Sequence, residues 1–173
     1  MFVAALTRLG GAAERAWTFS GRRSEYPADM VLHMRQIVLD AEDARELAAF
    51  YLALLGGEYR AGDEPAADGS DDNADWVAIR TAEGVDITVQ RVDELPRVTW
   101  PHGPVRQQLH LDFTVTDADQ LERHRDRAVA LGATVLDDQS ADPDGALYVL
   151  ADPAGHPFCM FVADDGSAQP NAS

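Results

Sequence analysis

Gln36-Ile-Val-Leu-Asp-Ala-Glu-Asp43 and His110-Leu-Asp-Phe-Thr-Val-Thr-Asp117 are two copies of one pattern. Gln36 matches His110, Asp43 matches Asp117 and Leu47 matches Leu121, each 74 positions further on. In both copies an apolar strand (34–39 and 109–115) runs into an aspartate with Glu46 or Gln120 three residues later. That is the signature of a helix N-cap and its capping-box partner. Leu47, Phe50, Tyr51, Leu54 and Leu55 give the first helix one apolar face, and Gly56-Gly57 stops it. The second helix is strongly charged through Glu122, Arg123, Arg125 and Asp126, and stops at Gly132. Strand-like segments follow each helix: 58–61, 76–80 and 85–92 in the first copy, 133–136, 147–151 and 158–162 in the second. Glu83-Gly84 and Asp152-Pro153-Ala154-Gly155 supply the hairpin turns. Each copy is therefore a βαβββ module. Two such units predict an α+β fold with a pseudo-symmetric cavity between them as the ligand site.

The chain divides accordingly. Residues 1–29 read as a peripheral extension, with Phe2, Leu6, Leu9, Ala13 and Trp17 at helical spacing. The first module covers 30–94, a proline-rich linker 95–107 and the second module 108–163, while 164–173 has the composition of a disordered tail. The acidic stretch 62–75 lacks the ligand spacing of a calcium loop and reads as a solvated loop. A length of 173 residues suits one compact domain or two modules around a joint core. The net charge of −16 argues against a nucleic-acid partner and for a soluble surface. No apolar run is long enough to span a membrane. Every basic side chain is arginine or histidine, which excludes Schiff-base chemistry and a P-loop lysine. Cys159 is the one cysteine, as expected of a reducing cytoplasm.

Alternation along 109–115 sends His110, Asp112 and Thr114 to one face. An Asp112–His110 pair lining a cavity can do general acid–base work; the alternative is a wall histidine beside an aspartate that bridges backbone. Cys159, on an apolar strand without a basic neighbour in sequence, reads as a buried, inert thiol. His156 follows a turn glycine and His124 sits on the charged helix, so both are expected to face solvent. Phe113 and Phe158 are expected in the helix–sheet core, with the cavity wall as the alternative. The linker carries Trp100 and Arg106. It either crosses a cavity mouth, offering an aromatic wall and an anion contact, or packs down on a sheet.

Gln36-Ile-Val-Leu-Asp40 with Ala49-Phe-Tyr51, Trp100-Pro101, Gln107-Gln-Leu-His-Leu-Asp112 and Asp152-Pro-Ala-Gly-His-Pro-Phe-Cys159 together resemble the vicinal oxygen chelate superfamily. That superfamily includes glyoxalase I, bleomycin-resistance proteins and extradiol dioxygenases. The likeness is narrower to its glyoxalase-like actinobacterial members. It implies two βαβββ modules whose strands curl into a mixed sheet around a cup-shaped small-molecule site. It also implies a divalent metal held by the first and last strands of each module. Carried over, those positions are Gln36, Thr88, His110 and Cys159, with Gln90 as a substitute two residues beyond Thr88. The implied metal set is His110, Gln36 and Gln90. Gln36, Gln90, Trp100 and Arg106 would contact substrate, with His110 and Asp112 catalytic. No glutamate occupies a mapped position, so the glutathione-dependent glyoxalase reaction is not expected. Three functions stay open: a lyase, isomerase or dioxygenase acting on a small oxygenated metabolite, a non-catalytic protein that sequesters a drug or metabolite, or a subunit or sensor module whose cavity is vestigial. Pairing of two copies into a homodimer is a further implication.

Overall fold

The computed structural model describes residues 34–70, 72–143 and 145–163. The chain separates into two units, 1–35 and 36–173. Of the first, only Met34 and Arg35 are described, both exposed. The expected N-terminal helix and the tail 164–173 lie outside the described residues.

Unit 36–173 contains two βαβββ modules. The first comprises β1 (Ile37–Ala41), α1 (Ala44–Leu55), β2 (Gly57–Tyr59), β3 (Trp76–Thr81) and β4 (Asp86–Arg91). The second comprises β5 (Leu111–Val115), α2 (Ala118–Ala130), β6 (Thr134–Gln139), β7 (Leu147–Ala151) and β8 (Pro157–Val162). Each forms its own four-stranded mixed sheet, ordered β1-β4-β3-β2 and β5-β8-β7-β6. First and last strands pair in parallel, and the other pairs are antiparallel. Among the described residues no helix is long and apolar enough to cross a membrane.

Both helices start where the capping aspartates predict. Asp43 accepts from the Glu46 backbone N–H at 2.9 Å, and Asp117 from that of Gln120 at 2.8 Å. The Gln120 side chain bonds the side chains of Thr116 and Asp117, which fixes the cap itself. The helices then differ in what they bury. Ala44, Leu47, Ala48, Phe50, Tyr51 and Leu54 of α1 are buried, against only Leu121 and Ala128 of α2. Polar contacts hold α2 instead: the Tyr148 hydroxyl donates to Glu122 at 2.7 Å, and Arg125 lies 5.0 Å over the Tyr148 ring.

Strand alternation sorts each sheet into two faces. Leu39, Val77, Ile79, Ile87 and Val89 join the apolar core with α1. Leu150, Phe158 and Met160 join it with α2, and Phe113 packs against it, as expected for both phenylalanines. The core is shared between modules, because the Phe50 ring in α1 lies 6.1 Å from Phe158 in β8. One residue along, Tyr51 donates to the buried Asp152 carboxylate at 2.8 Å. The other Asp152 oxygen accepts from the Gly155 and His156 backbone at 2.8 and 2.9 Å, so one side chain ties the last hairpin turn to α1.

Three local expectations change. His124 on α2 is half-buried rather than solvent-facing. His156 is half-buried, with Nε2 2.6 Å from the Asp40 carbonyl, because the β7–β8 turn abuts β1 of the other module. The acidic loop 62–75 is tied down by arginines. Arg45 donates to the Asp63 carbonyl and pairs with Asp72, Arg60 pairs with Asp63 at 2.8 Å, and Arg91 with Asp75 at 2.7 Å. Sequence composition shows the carboxylates but not which guanidinium reaches them.

Gly57 opens β2 at φ 118°, where an added Cβ would stand 2.0 Å from the Arg80 carbonyl oxygen. Gly57→Ala is therefore expected to lower stability by about 2 kcal/mol, from the strained backbone and the loosened β2–β3 edge. Chemical denaturation checks this; a shift below a few tenths of a kcal/mol would mean that β2 contributes nothing.

Candidate functional site

The sheet face turned away from the core carries Thr88, Asp112 and Cys159. In the first sheet Val38 pairs with Thr88, and in the second Asp112 pairs with Cys159. These two pairs are counterparts, since Ile37↔Ile87 and Leu111↔Phe158 immediately precede them in register. The equivalence of Thr88 with Cys159 that the resemblance implies is the one the strand register shows.

His110, Asp112 and Cys159 converge. Their imidazole, carboxylate and sulfur atoms all lie within 4.8 Å of one another. His110 Nε2 stands 3.3 Å from Asp112 Oδ1, with the two side chains 38% and 53% exposed, whereas Cys159 is 6% exposed. The convergence follows from topology. Parallel pairing sets Asp112 beside Cys159, and the strand period returns His110 to the same face. Burial, reinforced by the adjacent Asp112 carboxylate, pushes the Cys159 thiol up to about 12. A metal-free Cys159 is therefore protonated at neutral pH and a poor nucleophile, as its apolar strand suggested.

Gln107 braces the cluster from the linker, its Nε2 3.4 Å from His110 Nδ1. Either end of the amide can face that nitrogen. With the carbonyl end toward a protonated Nδ1, the His110 Nε2 lone pair is left on the side of Asp112. That is the tautomer a metal-bound histidine needs.

The donor set fits a divalent cation. Tetrahedral bonds of 2.0–2.3 Å place neighbouring ligand atoms roughly 3.3–3.8 Å apart. The His110–Asp112 separation is already there at 3.3 Å, and the other pairs, all within 4.8 Å, need closing by at most about 1 Å, within the reach of side-chain torsions. Three protein donors with remaining positions open is the arrangement of catalytic rather than structural sites.

The other predicted residues are placed differently. Gln36 precedes β1 and is half-buried, while Gln90 is exposed opposite Asp40. At about 3.3 Å per residue these positions are roughly 13 Å apart along the sheet, too far to share one ion. Among the described residues no hydrogen bond links either to His110. Thr88 is fully buried and its hydroxyl has no hydrogen-bond partner. Trp100 is half-buried with an unpartnered indole N–H, and Arg106 is exposed. Their loop is closed by Thr99, whose N–H and hydroxyl both donate to the Val105 carbonyl at 2.9 Å. Sequence reasoning had His110, Asp112 and Cys159 in hand but never as one set. The missing signal was that β5 and β8 pair directly with Asp112 opposite Cys159. A separate cavity of about 200 Å³ opens between Glu42, Asp43 and Glu46 on one side and Arg97 and Pro153 on the other; none of the predicted residues lines it.

The fold is widely shared. The fosfomycin resistance protein FosX from Listeria monocytogenes, complexed as a point mutant with Mn(II) and 1S,2S-dihydroxypropylphosphonic acid, superposes with a TM-score of 0.56 at 18% identity. The match covers 79% of this chain and 95% of that one. A glyoxylase/bleomycin resistance protein/dioxygenase domain from Frankia sp. EAN1pec gives 0.55 at 18% identity, with the same coverages of 79% and 95%. A related family enzyme from Burkholderia phytofirmans PsJN gives 0.53 at 15% identity, covering 73% of this chain and 95% of its own. At such identities the likeness carries the fold alone. No curated protein matches the sequence. The profile of the glyoxalase-like domain, however, matches residues 36–161, both modules together. The chain belongs to the glyoxalase-like domain family, within the vicinal oxygen chelate superfamily.

Proposed function

We propose that this protein binds a small oxygenated metabolite against the β5–β8 wall and transforms it as a lyase, isomerase or dioxygenase, with His110, Asp112 and Cys159 holding a divalent cation. The convergence of those three donor atoms within 4.8 Å carries the reading. A cation held there supplies Lewis-acid polarisation of ligand oxygens. The chain's own residues do the rest. Gln107 holds the His110 ring in place, and the Asp112 carboxylate balances cationic charge on a half-exposed wall where ligand can enter. Gln36, Gln90, Trp100 and Arg106 are the proposed polar and aromatic contacts, with Gln36 and Gln90 reaching different ends of the ligand. The Mn(II) in the FosX complex supports a cation on this fold without fixing its identity or ligands here.

Non-catalytic sequestration is the second reading. It is favoured by the protonated Cys159, since without a cation this wall offers no activated thiolate. Catechol, which carries two vicinal oxygens, is a suitable probe for both. With a cation present, calorimetry is expected to show chelator-sensitive catechol binding that weakens at least about a hundredfold in His110→Ala, a ligand loss exceeding the effect of outer-shell changes. Binding that ignores both chelator and substitution would favour sequestration and remove the metal-assisted reading.

A further inference from the structure

One imidazole, one carboxylate and one thiol do not treat all divalent cations alike. Magnesium and manganese favour sets of oxygen donors in octahedral arrangement, whereas thiolate sulfur selects softer ions and, with nitrogen, suits tetrahedral zinc. Here the β8 position facing Asp112 is occupied by sulfur, and Asp112 is the cluster's single carboxylate. The counterpart pair on the first sheet, Val38 and Thr88, offers one hydroxyl and no strong donor. Among the described residues the cluster of His, Cys, Asp or Glu donors has three members. We infer that the His110–Asp112–Cys159 cluster is selective for zinc, or cobalt as its surrogate, over manganese and magnesium.

The inference rests on the metal-assisted reading of this site and gives it a specific ion. A zinc held by three side chains keeps a fourth position for a ligand oxygen and can expand to a fifth. That accommodates one or two oxygens of a small metabolite without a further protein donor. The relative that carries Mn(II) shares only the fold, so it sets no expectation for the ion here.

The test needs no substrate. Cobalt(II) added to the metal-free full chain is expected to give a thiolate-to-cobalt charge-transfer absorption in the near ultraviolet, with intense visible bands of tetrahedral geometry. One equivalent of zinc should abolish both, while manganese or magnesium at about a hundredfold excess should not. Cys159→Ser should lose the charge-transfer absorption and weaken zinc binding at least about tenfold. His110→Ala, altering a partly exposed side chain outside the core, provides a second variant, and circular dichroism verifies that each is folded. Manganese binding as tight as zinc, or a cobalt spectrum indifferent to Cys159→Ser in folded protein, would overturn the sulfur-based selectivity while leaving metal-assisted function standing. Failure of every cation to bind would overturn both.

Discussion

Asp152→Ala is expected to destabilise the protein by about 4 kcal/mol, because three buried donors lose their acceptor together. Asp152 is 1% exposed and accepts from the Tyr51 hydroxyl and from the Gly155 and His156 backbone. A single unsatisfied buried group costs about 1–3 kcal/mol, so relaxation around the new space recovers only part of the loss. Tyr51→Phe, which removes one of the three bonds, should cost about 1–2 kcal/mol. Asp152→Asn should be milder than Asp152→Ala, since an amide oxygen still accepts from the turn and its N–H₂ can donate to the tyrosine oxygen. The pH dependence is distinctive. Burial, only partly offset by His156 and the hydrogen bonds, raises the Asp152 carboxyl above its ordinary value. The folded chain therefore holds this proton more tightly than the unfolded chain. The group's contribution is full below the unfolded value and is lost as pH rises through the folded value. Asparagine has no such proton, so Asp152→Asn should fall furthest below the native protein in acid and approach it toward neutrality. Exposed carboxyls such as Asp117, lowered mainly by the helix-cap bond from Gln120, are common to both proteins and cancel in the difference. Urea unfolding across pH 3–7 reads this directly. A gap that widens toward neutrality would contradict the assignment.

Phe158→Ala should cost a similar amount, about 4 kcal/mol, and lower the melting temperature by roughly 10 °C. The ring is fully buried, 6.1 Å from Phe50 and 5.9 Å from Phe113. Those neighbours belong to different modules, so the cavity opens where the two halves share their core and neither can collapse into it alone. Phe158→Leu, which refills part of the space, should cost about half as much. A double-mutant cycle with Phe50→Ala is expected to show coupling of about 1 kcal/mol. Independent, additive losses in calorimetry would show that the modules have separate cores.

The fold was legible because its signals were written twice. Asp43 with Glu46 and Asp117 with Gln120 mark helix starts by a local bond that any context preserves. The Asp152–Gly155 turn likewise depends on residues that restrict their own backbone, and Gly155 donates to the Asp152 carbonyl at 2.9 Å. Strand ends were less legible, since β1 begins only where β4 is there to pair with it, at Ile37. The site was legible by face but not by membership. Alternation puts His110 and Asp112 together, but the partnership with Cys159 depends on register between strands far apart in sequence. Likewise, nothing local to His156 indicates that the Asp40 carbonyl will stand across from it.

Parallel pairing of first and last strands has a consequence for how the chain acquires its chemistry. Asp112 belongs to the strand that opens the second module and Cys159 to the strand that closes it. Such a long-range parallel pairing must close the whole intervening loop before its contacts form, so it is intrinsically slow. During synthesis, no donor cluster exists until β8 has emerged and docked beside β5. A cation that recognises the cluster binds only the completed module, and by mass action stabilises it against reopening. A cation held across that pairing would thereby latch the module shut.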